Sequence, residues 1–123
     1  MARGRFSMLA VHHANAFLLI AVCLAAGIAG LAARRRGAGR GVTQLLALAQ
    51  TLVVAQLLFG LLLLAEHRRA ADKLHYAYGT FALLCVFAPW LYAPADPRRR
   101  LLWFSVAMLL AAALGVRAYM TAT

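Results

Sequence analysis

Acidic residues are scarce in this chain. Its 123 residues contain three Asp or Glu against thirteen Lys or Arg, which gives a formal net charge of +10. Only 13% of the residues are charged and 65% are hydrophobic, whereas a soluble domain is typically about 25% charged and about 45–50% apolar. A core of this size cannot hide so much apolar surface from water. The composition therefore argues against an ordinary water-soluble enzyme.

Cysteines and polar segments are scarce as well. The two cysteines, Cys23 and Cys85, form no CxxC motif, and their number excludes a secreted scaffold built on disulfides. The apolar content excludes a disordered chain. Apart from short caps, no segment is polar enough to form a surface that reads DNA or RNA. We therefore expect no nucleic-acid partner, despite the basic charge.

Long apolar runs are what the sequence has instead. Four of them, at about 7–33, 43–65, 74–93 and 101–120, are long enough, or nearly so, to cross the roughly 30 Å hydrocarbon core of a bilayer. We predict an all-α integral membrane protein that folds as a four-helix transmembrane bundle, with residues 1–123 forming a single transmembrane domain. Because the connections are short, consecutive helices should be antiparallel, up-down neighbours.

Arginine residues flank the apolar runs and indicate the topology. Loops 34–40 and 96–100 hold seven arginines, and the other side of the predicted bundle holds five arginines and one lysine. The positive-inside rule then places both termini outside and the two arginine-rich loops in the cytoplasm. The excess is small, so dual insertion stays open. The Ala, Leu and Arg bias favours a bacterial plasma membrane, with a multi-pass protein in it.

Two similar segments suggest a tandem repeat of a two-helix unit. His13 precedes Cys23 by ten positions, His75 precedes Cys85 by ten positions, and an arginine triplet follows each pair. A tandem unit would place its copies around a pseudo-twofold axis along the membrane normal. Coincidence in a chain rich in Ala and Leu explains the pattern equally well.

Antiparallel threading brings the ligand-capable side chains to one end of the bundle. The first and third runs begin on the side where the second and fourth finish, so four histidines should gather on the outer face with an acid, a tyrosine and an arginine. This predicted cluster consists of His12, His13, His67, His75, Glu66, Tyr76 and Arg117.

One interpretation of the cluster is a haem b site. Two imidazoles from facing helices can bind one iron axially, and His13 with His75 is the preferred pair, with His12 as the alternative to His13. Arg117 would pair with a haem propionate. Only two of the predicted helices carry a histidine clearly within the helix, which is enough for the two axial ligands of one haem.

Three other interpretations compete with haem. A quinone head group can be bound by Glu66, His67, His75 and Tyr76, which supply hydrogen bonds and a proton relay. A copper or zinc ion can be bound by imidazole and carboxylate groups, although no tight motif such as HExxH is present. Histidines and tyrosines also settle at the membrane–water boundary without any ligand.

These observations favour a small membrane subunit of redox or respiratory type, which passes electrons and is not an enzyme by itself. The alternative is an accessory or structural subunit without chemistry of its own. A small dual-topology transporter comes third, because no acidic residue lies inside an apolar run to carry protons. The expected partners are the lipid bilayer and either other membrane subunits or further copies of the chain.

Overall fold

The structure, a computed structural model, describes residues 8–66 and 73–121. This part of the chain is all-helical and contains no strand, as predicted. Its helices are α1 (Met8–Ala33), α2 (Arg40–Ala65), α3 (Leu74–Tyr92) and α4 (Pro97–Thr121), which form a four-helix bundle. Each of the four is long and apolar enough to cross a membrane.

Local chemistry sets the helix ends at the two arginine-rich loops. Gly37 adopts a φ of +89°, a left-handed conformation that glycine accepts without strain, and its N–H donates to the Ala33 carbonyl oxygen at 2.8 Å. At the other loop the Asp96 carboxylate accepts a hydrogen bond from the Arg99 backbone N–H at 3.1 Å. Pro97 has a φ suited to the first helical position, so α4 begins four residues before the apolar run at 101.

The helices pack unevenly around the bundle. α1 packs closely against both α2 and α4, and α4 also packs closely against α3, whereas α2 touches α3 and α4 only lightly. The core between them is built mainly of small or flexible side chains, including Cys23, Ala26, Met108 and Ala111. The outer faces carry large apolar side chains such as Phe17, 56% exposed, and Leu91, 73% exposed.

Glycines permit the close approach of α1 and α4. A Cβ added at Gly27 would lie 2.9 Å from the Ser105 backbone oxygen, and one added at Gly30 would collide with the Ser105 hydroxyl. Small residues at a helix interface let the two backbones come together in this way.

The packing bears on the suggested repeat. A pseudo-twofold arrangement of the hairpins α1–α2 and α3–α4 would make the α1–α4 interface equivalent to the α3–α2 interface. The structure packs α1 closely on α4 and leaves α2 and α3 in light contact. The two hairpins therefore do not pack symmetrically.

Candidate functional site

A cavity of about 530 Å³ is lined by all four helices, by residues from the first halves of α1 and α3 and the second halves of α2 and α4. Its wall is mainly aliphatic, with three imidazoles, a few other polar side chains and three glycines set into it. These are His12, His13, His75, Gln56, Tyr76, Thr80, Tyr119, Gly60, Gly79 and Gly115. A mainly apolar cavity with a few convergent polar groups is typical of cofactor and ligand sites.

His12 is buried in the wall with an unpaired nitrogen. Its side chain is 7% exposed, and its Nδ1 is fully buried with no hydrogen-bond partner. A Cβ added at Gly60 would lie 3.4 Å from its Cε1, so the glycine on α2 leaves the space that the ring needs. Buried polar atoms without partners are uncommon, and this nitrogen is the unpaired polar atom of the cavity wall.

His75 is held in one orientation by α4. Its Nδ1 lies 2.6 Å from the Ala118 carbonyl oxygen, and because a carbonyl oxygen only accepts hydrogen bonds, Nδ1 carries the proton. The lone pair of a neutral His75 is then on Nε2. A backbone carbonyl that fixes the tautomer and the ring plane is the usual support of a metal-binding imidazole.

The rings of His12 and His75 meet across the cavity. Their centroids are 6.0 Å apart and their planes cross at 76°, although the backbones of α1 and α3 do not pack against each other. An imidazole nitrogen binds a metal at about 2.0–2.1 Å and lies about 1 Å from its ring centroid, so two imidazoles on opposite sides of one ion have centroids about 6 Å apart. The observed separation agrees with that spacing and also with a direct edge-to-face contact of two rings.

His13, the preferred ligand in the sequence interpretation, lines the same cavity in a different contact. Its ring centroid is 6.4 Å from that of His12 and 5.8 Å from that of Tyr119. Tyr119 in turn lies 4.8 Å from Phe17. The structure therefore brings His12, and not His13, into ring contact with His75.

An amide network, whose role at the site the sequence did not reveal, holds the His12 segment against α2. Gln56 Nε2 donates to the His12 carbonyl oxygen at 2.8 Å, and Gln56 Oε1 accepts from Asn15 Nδ2 at 2.9 Å. Asn15 Nδ2 also donates to the Leu52 carbonyl oxygen at 3.1 Å. In the sequence, Gln56, Gly60 and His67 recur on one face of the second apolar run, and this pattern is equally typical of polar contacts between membrane helices.

The other predicted site residues are distributed unevenly. Tyr76 lines the cavity. Glu66 is the C-cap of α2 and is exposed outside the cavity wall. Arg117 is also exposed and outside the wall, with its guanidinium 5.6 Å from the Tyr78 ring centroid. His67 lies outside the described residues.

Residues 8–66 and 73–121 contain no side-chain cluster that could bind a metal ion by itself. No group of three or more His, Cys, Asp or Glu side chains is close enough there to hold an ion. The two cysteines are free, and the Cys23 thiol is 4.0 Å from the Ala49 carbonyl oxygen to which it donates. The site thus offers two neighbouring imidazoles from different helices and a mainly apolar cavity.

Comparisons with protein-family models, with curated proteins and with solved structures found no match to this chain.

Proposed function

We propose that this chain is a small membrane-embedded electron-transfer subunit that binds one b-type haem between His12 and His75. The observation that carries the proposal is the neighbouring pair of imidazoles from α1 and α3, with centroids 6.0 Å apart and planes crossing at 76°, in the wall of a cavity of about 530 Å³. His12 offers a buried nitrogen without a partner, and His75 offers a ring that a backbone carbonyl holds in place.

Membrane insertion is supported by the outer surface of the bundle. Four helices of sufficient length and apolarity carry large exposed hydrophobic side chains on their outer faces. Contiguous apolar surface of this kind is normally covered by protein or lipid. The location we propose is a bacterial plasma membrane, with both termini outside.

The order of contacts supports an antiparallel, up-down arrangement. Asn15 meets Leu52 while Cys23 meets Ala49, so rising numbers on α1 meet falling numbers on α2. The same reversal relates α3 to α4, where His75 meets Ala118 and Trp90 lies 5.1 Å from Phe104.

The cavity suits a flat apolar macrocycle. Its volume lies within the range of about 300–1,000 Å³ usual for cofactor pockets, and Gly60, Gly79 and Gly115 in its wall leave room for the neighbouring side chains of His12, Leu57, Leu19 and Ile20. The lining is mainly aliphatic, and His12 and His75 contribute two imidazoles to it. When bound, the haem supplies one-electron oxidation and reduction.

An electron carrier of this size needs other proteins or lipid-soluble molecules as donor and acceptor. The described loops, 34–39 and 93–96, are too short to form a docking domain of their own. We therefore propose that the chain works with other membrane subunits or with further copies of itself.

A quinone is the second candidate ligand, favoured by one observation. α2 and α3 touch only lightly, and cavity residues at their border, Leu61, Tyr76 and Thr80, are exposed to the surroundings of the bundle. A lipid-soluble head group can enter by that route and meet His75 and Tyr76, which have the hydrogen-bonding groups that it needs.

The deciding measurement is the absorption spectrum of detergent-purified protein, produced with ample haem, before and after reduction with dithionite. We expect a Soret band with sharp α and β bands on reduction. Both His12→Ala and His75→Ala should lose the spectrum while circular dichroism shows that the helices remain. His13→Ala is the matched control and should keep it.

Three outcomes would contradict the proposal in different ways. A featureless spectrum of the unaltered protein would remove haem, and bound quinone would then be sought in lipid extracts. Loss of the spectrum in His13→Ala with retention in His12→Ala would reverse the ligand assignment. If the unaltered protein and all variants co-purify with other membrane subunits and none of them contains haem, the accessory role is favoured.

A further inference from the structure

Seven arginines gather at the end of the bundle opposite the cavity. A Cβ added at Gly30 would lie 3.6 Å from Leu101 Cδ1, so the end of α1 is beside the start of α4 and the two arginine-rich loops share one end. We call this group the basic end, and it consists of Arg34, Arg35, Arg36, Arg40, Arg98, Arg99 and Arg100.

The basic end is almost uncompensated by acid. Asp96 is the one carboxylate at this end within the described residues, and it accepts a backbone hydrogen bond at the start of α4. Glu66, the other described acid, terminates α2 at the opposite end. A surface with this charge attracts phosphate groups.

Arg100 occupies a fixed position in the basic end. Its guanidinium carbon is 5.7 Å from the Trp90 ring centroid and 5.3 Å from the Phe104 ring centroid. The two rings themselves meet edge-on, 5.1 Å apart at 82°. The aromatic faces hold the cation in place, while its N–H groups remain suited to bidentate hydrogen bonds with a phosphate.

An apolar groove lies near this arginine, linked to it through Trp90, whose ring contacts Arg100 and whose N–H bonds Gln50 in the groove wall. It has a volume of about 370 Å³ and follows the seam where α2 and α3 touch lightly. Trp90 Nε1 donates to Gln50 Oε1 at 2.6 Å beside the groove. The lining residues are Gln50, Thr51, Val54, Ala55, Leu58 and Val86.

We propose that this surface binds an anionic phospholipid, with the headgroup phosphate on Arg100 and one acyl chain in the groove. Charge complementarity selects the anionic headgroup, because a zwitterionic lipid leaves the positive charge of the basic end unbalanced. The apolar groove selects a lipid over a free phosphate ion. This inference rests on the membrane placement proposed above and does not depend on the haem.

Native mass spectrometry of the purified full chain in micelles containing equal phosphatidylglycerol and phosphatidylcholine tests the proposal. We expect preferential retention of phosphatidylglycerol, and Arg100→Gln should weaken that retention about fivefold, the effect typical of one basic residue near a lipid surface. Lys73→Gln, which removes one positive charge at the opposite end, should leave it unchanged. Excess inorganic phosphate should leave the lipid bound.

A second variant tests the groove without altering charge. Ala55→Phe fills the seam and should reduce phosphatidylglycerol retention, with helix content checked by circular dichroism. Equal retention of the two lipids, full displacement by inorganic phosphate, or unchanged binding in both Arg100→Gln and Ala55→Phe would overturn the proposal. Resistance of the protein to carbonate extraction from membranes reports insertion separately, so failure of the membrane placement is recognised independently.

Discussion

At the scale of single residues, the absence of a side chain at Gly30 lets α1 and α4 approach closely. The Ser105 hydroxyl occupies the space where a Cβ would lie, and that hydroxyl is fully buried without a hydrogen-bond partner. Rotating this hydroxyl away would still leave the Ser105 Cβ 3.1 Å from the added carbon. One methyl group added here has no room.

Gly30→Ala should lower the free energy of unfolding by about 1–3 kcal/mol, the usual effect of overpacking a filled interior. Denaturation in mixed micelles, followed by circular dichroism, measures the change. Gly41→Ala is the matched control, because a Cβ there meets nothing within 4 Å. Equal effects of the two substitutions would contradict this account.

A compensating change sharpens the same test. Combining Gly30→Ala with Ser105→Gly removes the colliding side chain, so part of the lost stability should return. Residues in contact show such coupling, whereas distant ones give additive effects. If the effects of the two substitutions on the free energy of unfolding simply add, the destabilisation by Gly30→Ala does not arise from the contact with Ser105.

At the scale of helices, α2 is attached to the bundle mainly through α1. Its contacts with α3 and α4 are light, and its polar link to α1 consists of Gln56 and Asn15, with the weaker contact of Cys23 and the Ala49 carbonyl oxygen. Gln56 bonds the backbone of His12 itself, so the link that attaches the helix also positions the proposed ligand.

Gln56→Met should cost about 0.6–2 kcal/mol of stability, as measured for polar contacts between membrane helices. It should also weaken haem binding, because the His12 carbonyl oxygen and the Asn15 amide lose their shared partner. Gln44→Met on the same helix is the control, since Gln44 is exposed. Denaturation and haem titration give the two readouts, and similar losses in both variants would refute the positioning role.

At the scale of the whole molecule, the four helices pack unevenly, and this leaves room for the His-lined cavity and the apolar groove. Close contacts of α1 with α4 and of α3 with α4 leave the seam between α2 and α3 thin, and both the His-lined cavity and the apolar groove use residues of that seam. The two ends also differ chemically, with imidazoles at one and arginines at the other.

The proposed orientation predicts which loops face the cytoplasm. In a background in which Cys23 and Cys85 are replaced by Ala, Lys73→Cys should react with a membrane-impermeant thiol reagent in intact cells. Ala38→Cys should react only after the cells are opened, because the arginine-rich loops stay inside. The reverse pattern would invert the topology, and labelling of both in intact cells would indicate dual insertion.

Composition and the lengths of the apolar runs were sufficient to predict the all-helical, four-helix architecture. Four runs of membrane-spanning length with short connections leave few other folds, because backbone polar groups in an apolar setting must be satisfied within helices. The gathering of histidines at one end followed from the order of the runs alone. His12, His13 and His75 do line one cavity.

Which histidine faces which was decided only by the tertiary structure. His12 and His13 are adjacent in sequence, so they point about 100° apart around α1, and a rotation of that helix exchanges their roles. The rotation is fixed by distant contacts, among them Gly27 and Gly30 against Ser105 and Gln56 against the His12 carbonyl oxygen. The light contact between α2 and α3, which leaves room for the cavity and the groove, also depends on how all four helices pack together. The sequence of one apolar run does not determine that packing.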